Sequence, residues 1–346
     1  MITSNHHNDH SDFIFKDLSE IPSKQKKKEW SALDSIMRSP IEHGGHITNW
    51  EDFSFFFKHL LNGDDDDKDE DKDFNHALQD VCMMKKETQK LGLICSEPPQ
   101  PTKSQREQLA QLVFEELSMA SMFSCCGHLL SMFAHGITTG CVLDVGHTQT
   151  SVVSVYEGFA FPHSVSVSHV LGGRELTEHL KNKLKEKYSD MEYLNDDETV
   201  RTIKESCGCV KPKYDEVRSE KTTTYELPDE DIQGIDDLIQ HCIQRCDIDF
   251  RLTLFENIVL SGGSTMFKGI DQKIVKELEY RNHLEVWSRI KVKSNENLER
   301  KNSAWTGASI IGSLSTMNNL LVSKEEYDEQ GPDVVHAKST LFWVNE

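Results

Sequence analysis

The 346-residue chain carries 38 basic and 58 acidic residues, a net charge of −20. That balance argues against nucleic acid or anionic membrane as the main partner, because both need clustered positive charge; basic protein surfaces are attracted instead. The length gives room for a sizeable core, as two domains or one large bilobal one. Nine cysteines without disulfide-type spacing, no apolar run of membrane-span length and no apolar N-terminal signal region fit a reducing cytosol or nucleus.

Residues 1–29 are polar and rich in His, Ser and Lys, and read as a disordered tail. The cluster Lys24, Lys26, Lys27 and Lys28 is either a solvated charge run or a nuclear-localisation signal. Thr48 or Asn49 is expected to cap a helix over 50–61, with Phe53, Phe56, Phe57, Leu60 and Leu61 at core-facing spacing. Residues 63–73 hold eight acidic residues and two lysines. They lack the glycine and terminal Glu of an EF-hand loop and read as a surface insertion. A buried strand is expected over 92–97, ending at Pro98 and Pro99. A helix over 104–117 follows, with Ser104 and Glu107 as a capping box, then a second helix over 121–134 rich in Met, Phe, Cys and Leu.

The chain is organised around residues 138–158, TTGCVLDVGHTQTSVVSVYEG. Two β-branched runs, 141–143 and 150–156, flank a tight turn and predict a hairpin. Such a turn is either only a turn, or a place where backbone N–H groups face a phosphate and a strand-end carboxylate holds hydrated Mg²⁺. Residues 177–188 are amphipathic and helical. A helix over 199–206 puts Arg201, Lys204 and Glu205 on one face, which is either solvated or ligand-facing. Residues 234–250 read as helical and 254–260 as a strand. The strand leads into a second glycine turn within NIVLSGGSTMFKG (257–269), where Gly262 and Gly263 let the backbone approach a ligand closely. A small-residue helix over 303–317 places Ile311, Leu314 and Met317 on one stripe. Cys207-x-Cys209 and Cys242-x3-Cys246 are plain thiols or zinc half-sites, without His and Cys partners at zinc-finger spacing.

With both glycine turns in view, the chain resembles actin and the actin-related proteins. The matching stretches run in order from residue 40 to 338: 40–50 (PIEHGGHITNW), 136–140 (GITTG), 143–146, 156–163 (YEGFAFPH), 171–177 (LGGRELT), 200–205, 254–269, 303–316 and 322–336. The resemblance implies the actin-like bilobal α/β fold, built on the core shared with sugar kinases and heat-shock ATPases and truncated in the upper lobe. It divides the chain into a tail (1–29), a lower outer lobe (30–135 with 303–346), an inner lobe (136–171 with 234–302) and a shortened fourth region (172–233). Nothing in residues 1–39 matches the family's first phosphate loop or its outer subdomain. A segment of the upper lobe is missing after Pro228. A sugar- or acetate-kinase relationship is set aside, because 40–50 and 303–331 resemble actins specifically.

By resemblance, ATP or ADP with Mg is the implied ligand. The nucleotide-facing positions are Asp144, Gly146, His147, Gly173, Arg201, Lys204, Glu205, Gly262, Gly263, Ser264, Met266, Phe267 and Lys301. Asp144 is the weak, water-mediated metal position, and Phe267 stands where the family has a Tyr. The departures are specific. His147 replaces a second metal-side Asp, Thr148 a Gly, Gly127 the Gln that orients the attacking water, and Ser151 a His of the water network. His128 adjoins Gly127, but neighbours on a helix point about 100° apart. Hydrolysis is therefore expected to be absent or very slow, and no catalytic residue is assigned. The family's partner cleft maps to Phe133, Gly136, Thr138, Ile311, Leu314, Thr316 and Met317. The expected function is a divergent actin-like cytoskeletal protein, filament-associated or a subunit of a complex, in the cytoplasm or nucleus. Its expected partners are actin or actin-related subunits and actin-binding proteins, with no nucleic acid and no membrane. The alternatives are a non-polymerising filament-end cap or scaffold subunit, and a degenerate paralogue or truncated gene model.

Overall fold

A computed structural model describes residues 13–15, 41, 46–62, 92–188, 192–210, 234–293, 299–339 and 342–344. The lysine cluster at 24–28, the acidic run at 63–73 and residues 211–233, within which the upper-lobe deletion after Pro228 is expected, lie outside these residues.

Within the polar N-terminal segment the apolar triplet Phe-Ile-Phe is the exception, and it forms strand β1 (Phe13–Phe15). Helix α1 (Trp50–Asn62) is capped by Asn49, whose Oδ1 accepts the Asp52 amide at 3.0 Å. Phe53 is buried and Phe57 half-buried, but Phe56 is exposed, against expectation. Four phenylalanines in five positions wrap further round the helix than one core face covers. Strand β2 (Gly92–Glu97) leads to α2 (Lys103–Gln111), which continues as one π-helical stretch at Leu112–Glu116. The cap is Thr102, accepting the Gln105 amide at 3.2 Å, in place of the expected Ser104.

The helix expected over 121–134 divides into strand β3 (Ser121–Cys126) and helix α3 (Gly127–Ala134). Nearly every residue of β3 is buried, and a short apolar run without a polar stripe does not distinguish strand from helix. Then come β4 (Gly140–Val145), β5 (Thr150–Tyr156), β6 (Phe159–Ala160) and β7 (Ser166–Ser168). Helices α4 (Gly173–Lys187) and α5 (Asp197–Cys207) precede strand β8 (Gly208–Val210). The helix expected over 234–250 breaks into α6 (Ile235–Gln244) and α7 (Ile248–Glu256). The strand expected from 254 is shorter, because residues 254–256 are the last of α7 and β9 is Ile258–Ser261. Helices α8 (Ile270–Arg281) and α9 (Leu284–Trp287), strand β10 (Val292–Lys293) and helix α10 (Ser303–Gly312) follow. After α10 a 3₁₀ turn at Ser315–Asn319 breaks the predicted stripe, so Ile311 and Met317 are buried while Leu314 is exposed. Strand β11 (Val322–Ser323), α11 (Lys324–Gln330) and α12 (Val334–Ser339) finish the fold.

The hairpin sits at the centre. β4 pairs antiparallel with β5, from Gly140 opposite Val155 to Val145 opposite Thr150, and parallel with β9 on its other side. The sheet runs β10-β9-β4-β5-β6, with β7 also on β5. Its strands alternate between two cores. Cys141, Leu143, Ile258 and Leu260 meet α6, α7 and α8, whereas Val142 and Val259 meet α3 and α10. Beyond α3 a second sheet, β11-β3-β2, packs against α1, α2 and α12. A smaller pair joins β1 antiparallel to β8, with Phe13 opposite Val210 and Phe15 opposite Gly208. Near the C-terminus, residues 342–344 run beside β6. The Ala160 amide donates to the Phe342 carbonyl at 2.8 Å and the Val344 amide to the Ala160 carbonyl at 3.0 Å.

Candidate functional site

The two glycine turns converge because β4 and β9 are adjacent parallel strands and both end at the same edge. Gly262 has φ +89°, and a Cβ there would stand 2.4 Å from the Val145 carbonyl oxygen and 2.9 Å from Asp144 Oδ1. Only glycine lets the second turn fold against the first. The hairpin turn is then fixed from three sides. The Gly146 amide donates to Gln149 O at 2.9 Å, the Gly173 amide to Gly146 O at 2.9 Å, and the Arg174 amide to His147 O at 2.8 Å.

Above this junction lies a cavity of 590 Å³ between the β4–β5 turn, α4, α5, β8 and the second glycine turn. Gly146, His147, Gly173, Arg201, Lys204, Glu205, Gly263, Ser264, Met266, Phe267 and Lys301 all line it, so the structure brings together every predicted nucleotide position except Asp144 and Gly262. Those two lie at the strand ends beneath it. Lys268 and the β8 residues Gly208 and Cys209 also line the cavity, unforeseen from the sequence. Lys268 carried a signal, since it directly follows Phe267 in the glycine turn.

The charged residues divide into held and open groups. Lys204 is buried, and its ammonium donates to Gly173 O at 2.7 Å and Thr177 Oγ1 at 2.8 Å. Burial lowers its pKa, partly offset by the carboxylate of Glu205. Arg201 pairs with Glu205 at 2.9 Å and Glu198 at 3.5 Å along the same helix. Lys301 sits 3.4 Å from Glu299 and remains half-exposed. His147 is pushed below the ordinary imidazole range by burial, then by the nearby charges of Arg201 and Lys204, so it is neutral at pH 7. Phe267 is buried in the sheet core, and Met266 is the exposed apolar contact.

A nucleoside with a phosphate fits these residues better than a metal does. A Cβ on Gly263 would meet nothing within 4 Å, so this turn leaves room beside its backbone. The cationic side chains Arg201, Lys204, Lys268 and Lys301 face one carboxylate, Glu205, in the lining. For Mg²⁺ the strand end offers Asp144, with His147 where a second carboxylate would serve.

The water-handling positions are closed. A Cβ on Gly127 would stand 2.7 Å from Ser96 Oγ and 3.6 Å from Glu97 O, so position 127 faces the end of β2. His128 is buried, with Nε2 3.0 Å from Ser151 Oγ and Nδ1 3.6 Å from Cys126 Sγ. Burial drives its pKa down against the attraction of Asp144, keeping the ring neutral.

Among the described residues the cysteines do not gather into a zinc site. Cys242 lies in the core, 3.1 Å from Ser154 Oγ, and Cys246 donates to the Cys242 carbonyl. Among the described residues only Glu107, Asp333 and His336 bring three such donors within 4.8 Å of one another. The predicted partner cleft is divided by burial. Ile311 and Met317 belong to the core under α3 and Phe133 packs at its edge, while Gly136, Thr138, Leu314 and Thr316 are exposed. No described helix is long and apolar enough to cross a membrane.

A mixed sheet with two glycine turns meeting under a cationic cavity is the arrangement of an actin-like bilobal α/β fold. The family model Actin matches residues 20–232 and 229–340 in two segments, and the chain belongs to the actin family. The match reaches further toward the N-terminus than residue 40, where the recognisable motifs begin.

Proposed function

We propose that this actin-family chain binds an adenine nucleotide in the 590 Å³ cavity and acts as a cytoskeletal or complex subunit that turns ATP over slowly or not at all. The observation that carries the reading is the convergence of eleven predicted positions, drawn from five separate segments of sequence, on one cationic cavity in a chain of net charge −20. Binding rests on the Gly146–His147 turn and the facing Gly263 and Ser264 backbone for the phosphate, and on Arg201, Lys204, Glu205, Met266 and Lys301 for the adenine and ribose. Phosphoryl transfer needs a positioned water and a neutralised phosphate. Gly127 cannot position water, His128 is engaged by Ser151, and His147 is no metal ligand of the required charge. Mg²⁺, where present, would rest on Asp144 alone and supply charge neutralisation.

Calorimetric titration with ATP, with and without Mg²⁺, tests this. Saturable binding that changes little on chelation is expected. Absence of binding to the folded protein overturns the reading, and turnover at the rate of a polymerising actin overturns its second part.

A second reading is that of a non-polymerising filament-end cap or scaffold subunit. It is supported by the half-exposed Leu314, beside the buried Ile311 and Met317. Sub-stoichiometric sedimentation with filaments is expected, and long stoichiometric copolymers would contradict it.

A further inference from the structure

Strand β2 is the last strand of its sheet. It pairs with β3 from Gly92 opposite Ser121 to Glu97 opposite Cys126, and no described strand pairs with its other edge. A separate cavity of 220 Å³ runs along that edge. Five consecutive β2 residues, 93–97, line it. Successive strand residues face opposite sides of a sheet, so a cavity touching all five lies beside the backbone rather than over one face. Ile47, Phe53, Phe57 and Leu109 form the apolar outer wall.

One polar group at the groove has no partner. Glu97 is 7% exposed; its Oε2 accepts from Arg106 Nε and Nη2, both at 2.8 Å, while its buried Oε1 accepts no hydrogen bond among the described residues. A buried acceptor left unmade is costly. Burial raises the pKa of this carboxyl, opposed by Arg106, so a further donor would be welcome. The groove is smaller than the roughly 300–1,000 Å³ of ordinary ligand pockets. It suits an apolar side chain from an extended segment, and an unpaired edge supplies that segment's backbone partners. The acidity of the chain favours a basic visitor.

We infer that the outer edge of β2 accepts an extended peptide segment of a partner protein, adding a fourth strand to the β11-β3-β2 sheet, with apolar side chains in the groove and a lysine directed at Glu97. No residue lines both this groove and the larger cavity.

The probe is a fluorescein-labelled, end-capped peptide, VTVTLK, titrated into the full chain by anisotropy. Hydrogen exchange of the amides of residues 93–97 is followed in parallel. Saturable binding with slowed exchange at 93–97 is expected. Methylating alternate peptide nitrogens should weaken binding about tenfold or more. Replacing the peptide lysine by norleucine should weaken binding to the native chain but not to Glu97→Gln. No saturable binding, or equal affinity for the N-methylated peptide, overturns the inference. So does slow exchange in the free chain at those amides of 93–97 that point away from β3, which would mean that the protein covers this edge itself.

Discussion

A Cβ on Gly307 would stand 1.8 Å from the carbonyl oxygen of Leu130. Helices α10 and α3 therefore touch backbone to backbone, between the β10-β9-β4-β5-β6 sheet and the β11-β3-β2 sheet. The contact partner is main chain, which cannot rotate away, so any side chain at 307 must separate the helices. Gly307→Ala is expected to cost about 3 kcal/mol, the upper end for overpacking, read as a shift of the urea midpoint. Gly312→Ala is the control. Its Cβ would come 3.1 Å from Ile94 Cδ1, the mobile end of a side chain, and its loss should be well below 1 kcal/mol. Equal losses would mean that the close crossing is not what Gly307 serves.

Helix α5 presents Arg201 and Lys204 to the cavity, and its start is fixed by Asp196. That carboxylate accepts from the Thr199 hydroxyl, from the Thr199 amide at 3.0 Å and from the Glu198 amide at 3.3 Å. These bonds, the hydroxyl's foremost, hold its pKa below the ordinary value. A carboxyl with a depressed folded-state pKa stabilises fully above its unfolded value, about 3.9. The stabilisation disappears as pH falls through the folded value. Asp196→Ala should cost about 1 kcal/mol at pH 7, and the gap to the native chain should narrow on acidification toward pH 3. Asp196→Asn should keep most of the cap. A gap unchanged at low pH would show that the ionised form does not matter.

How much of this was legible in the sequence depends on which force set each element. The β4–β5 hairpin was readable because its β-branched runs and turn are local. The positions that line the cavity were readable only through family resemblance, since Arg201 and Lys204 look like any charged helix face until α4 is placed beside them. β3 was misread because Ser121–Cys126 is buried on both sides, and burial on both sides erases periodicity. Leu314 was placed with Ile311 on helical spacing, which fails where α10 gives way to a 3₁₀ turn. The closure of Gly127 against Ser96 was invisible, since it depends on β2 arriving from about thirty residues earlier in the chain.

By resemblance to the family, His147 stands where a metal-side carboxylate would, and its neutral ring offers no charge to Mg²⁺. His147→Asp should restore a second acidic group near Asp144. Calorimetry with ATP should then show affinity rising with added Mg²⁺ in the variant and little change in the native chain. Equal magnesium dependence in the two proteins would place the metal elsewhere and remove His147 from the account.

The last described residues lie where a partner is expected. Phe342 and Trp343 pack, half-buried, against the cluster containing Ile311, Met317 and Phe133. The Phe342 ring is edge-on to Phe123 at 6.0 Å, and the backbone at 342–344 is bonded to Ala160 on β6. The chain's own terminus thus covers part of the apolar cluster that the family resemblance assigns to partners. Ending the chain after Ser339 should uncover this surface, cost about 2 kcal/mol or more through lost apolar burial and increase the fluorescence of a hydrophobic dye. It should also strengthen binding of an amphipathic helical peptide relative to the full chain, because the peptide no longer competes with Phe342 and Trp343. A truncated chain that stays folded and binds the peptide no better would show that the terminus and the cleft are separate surfaces.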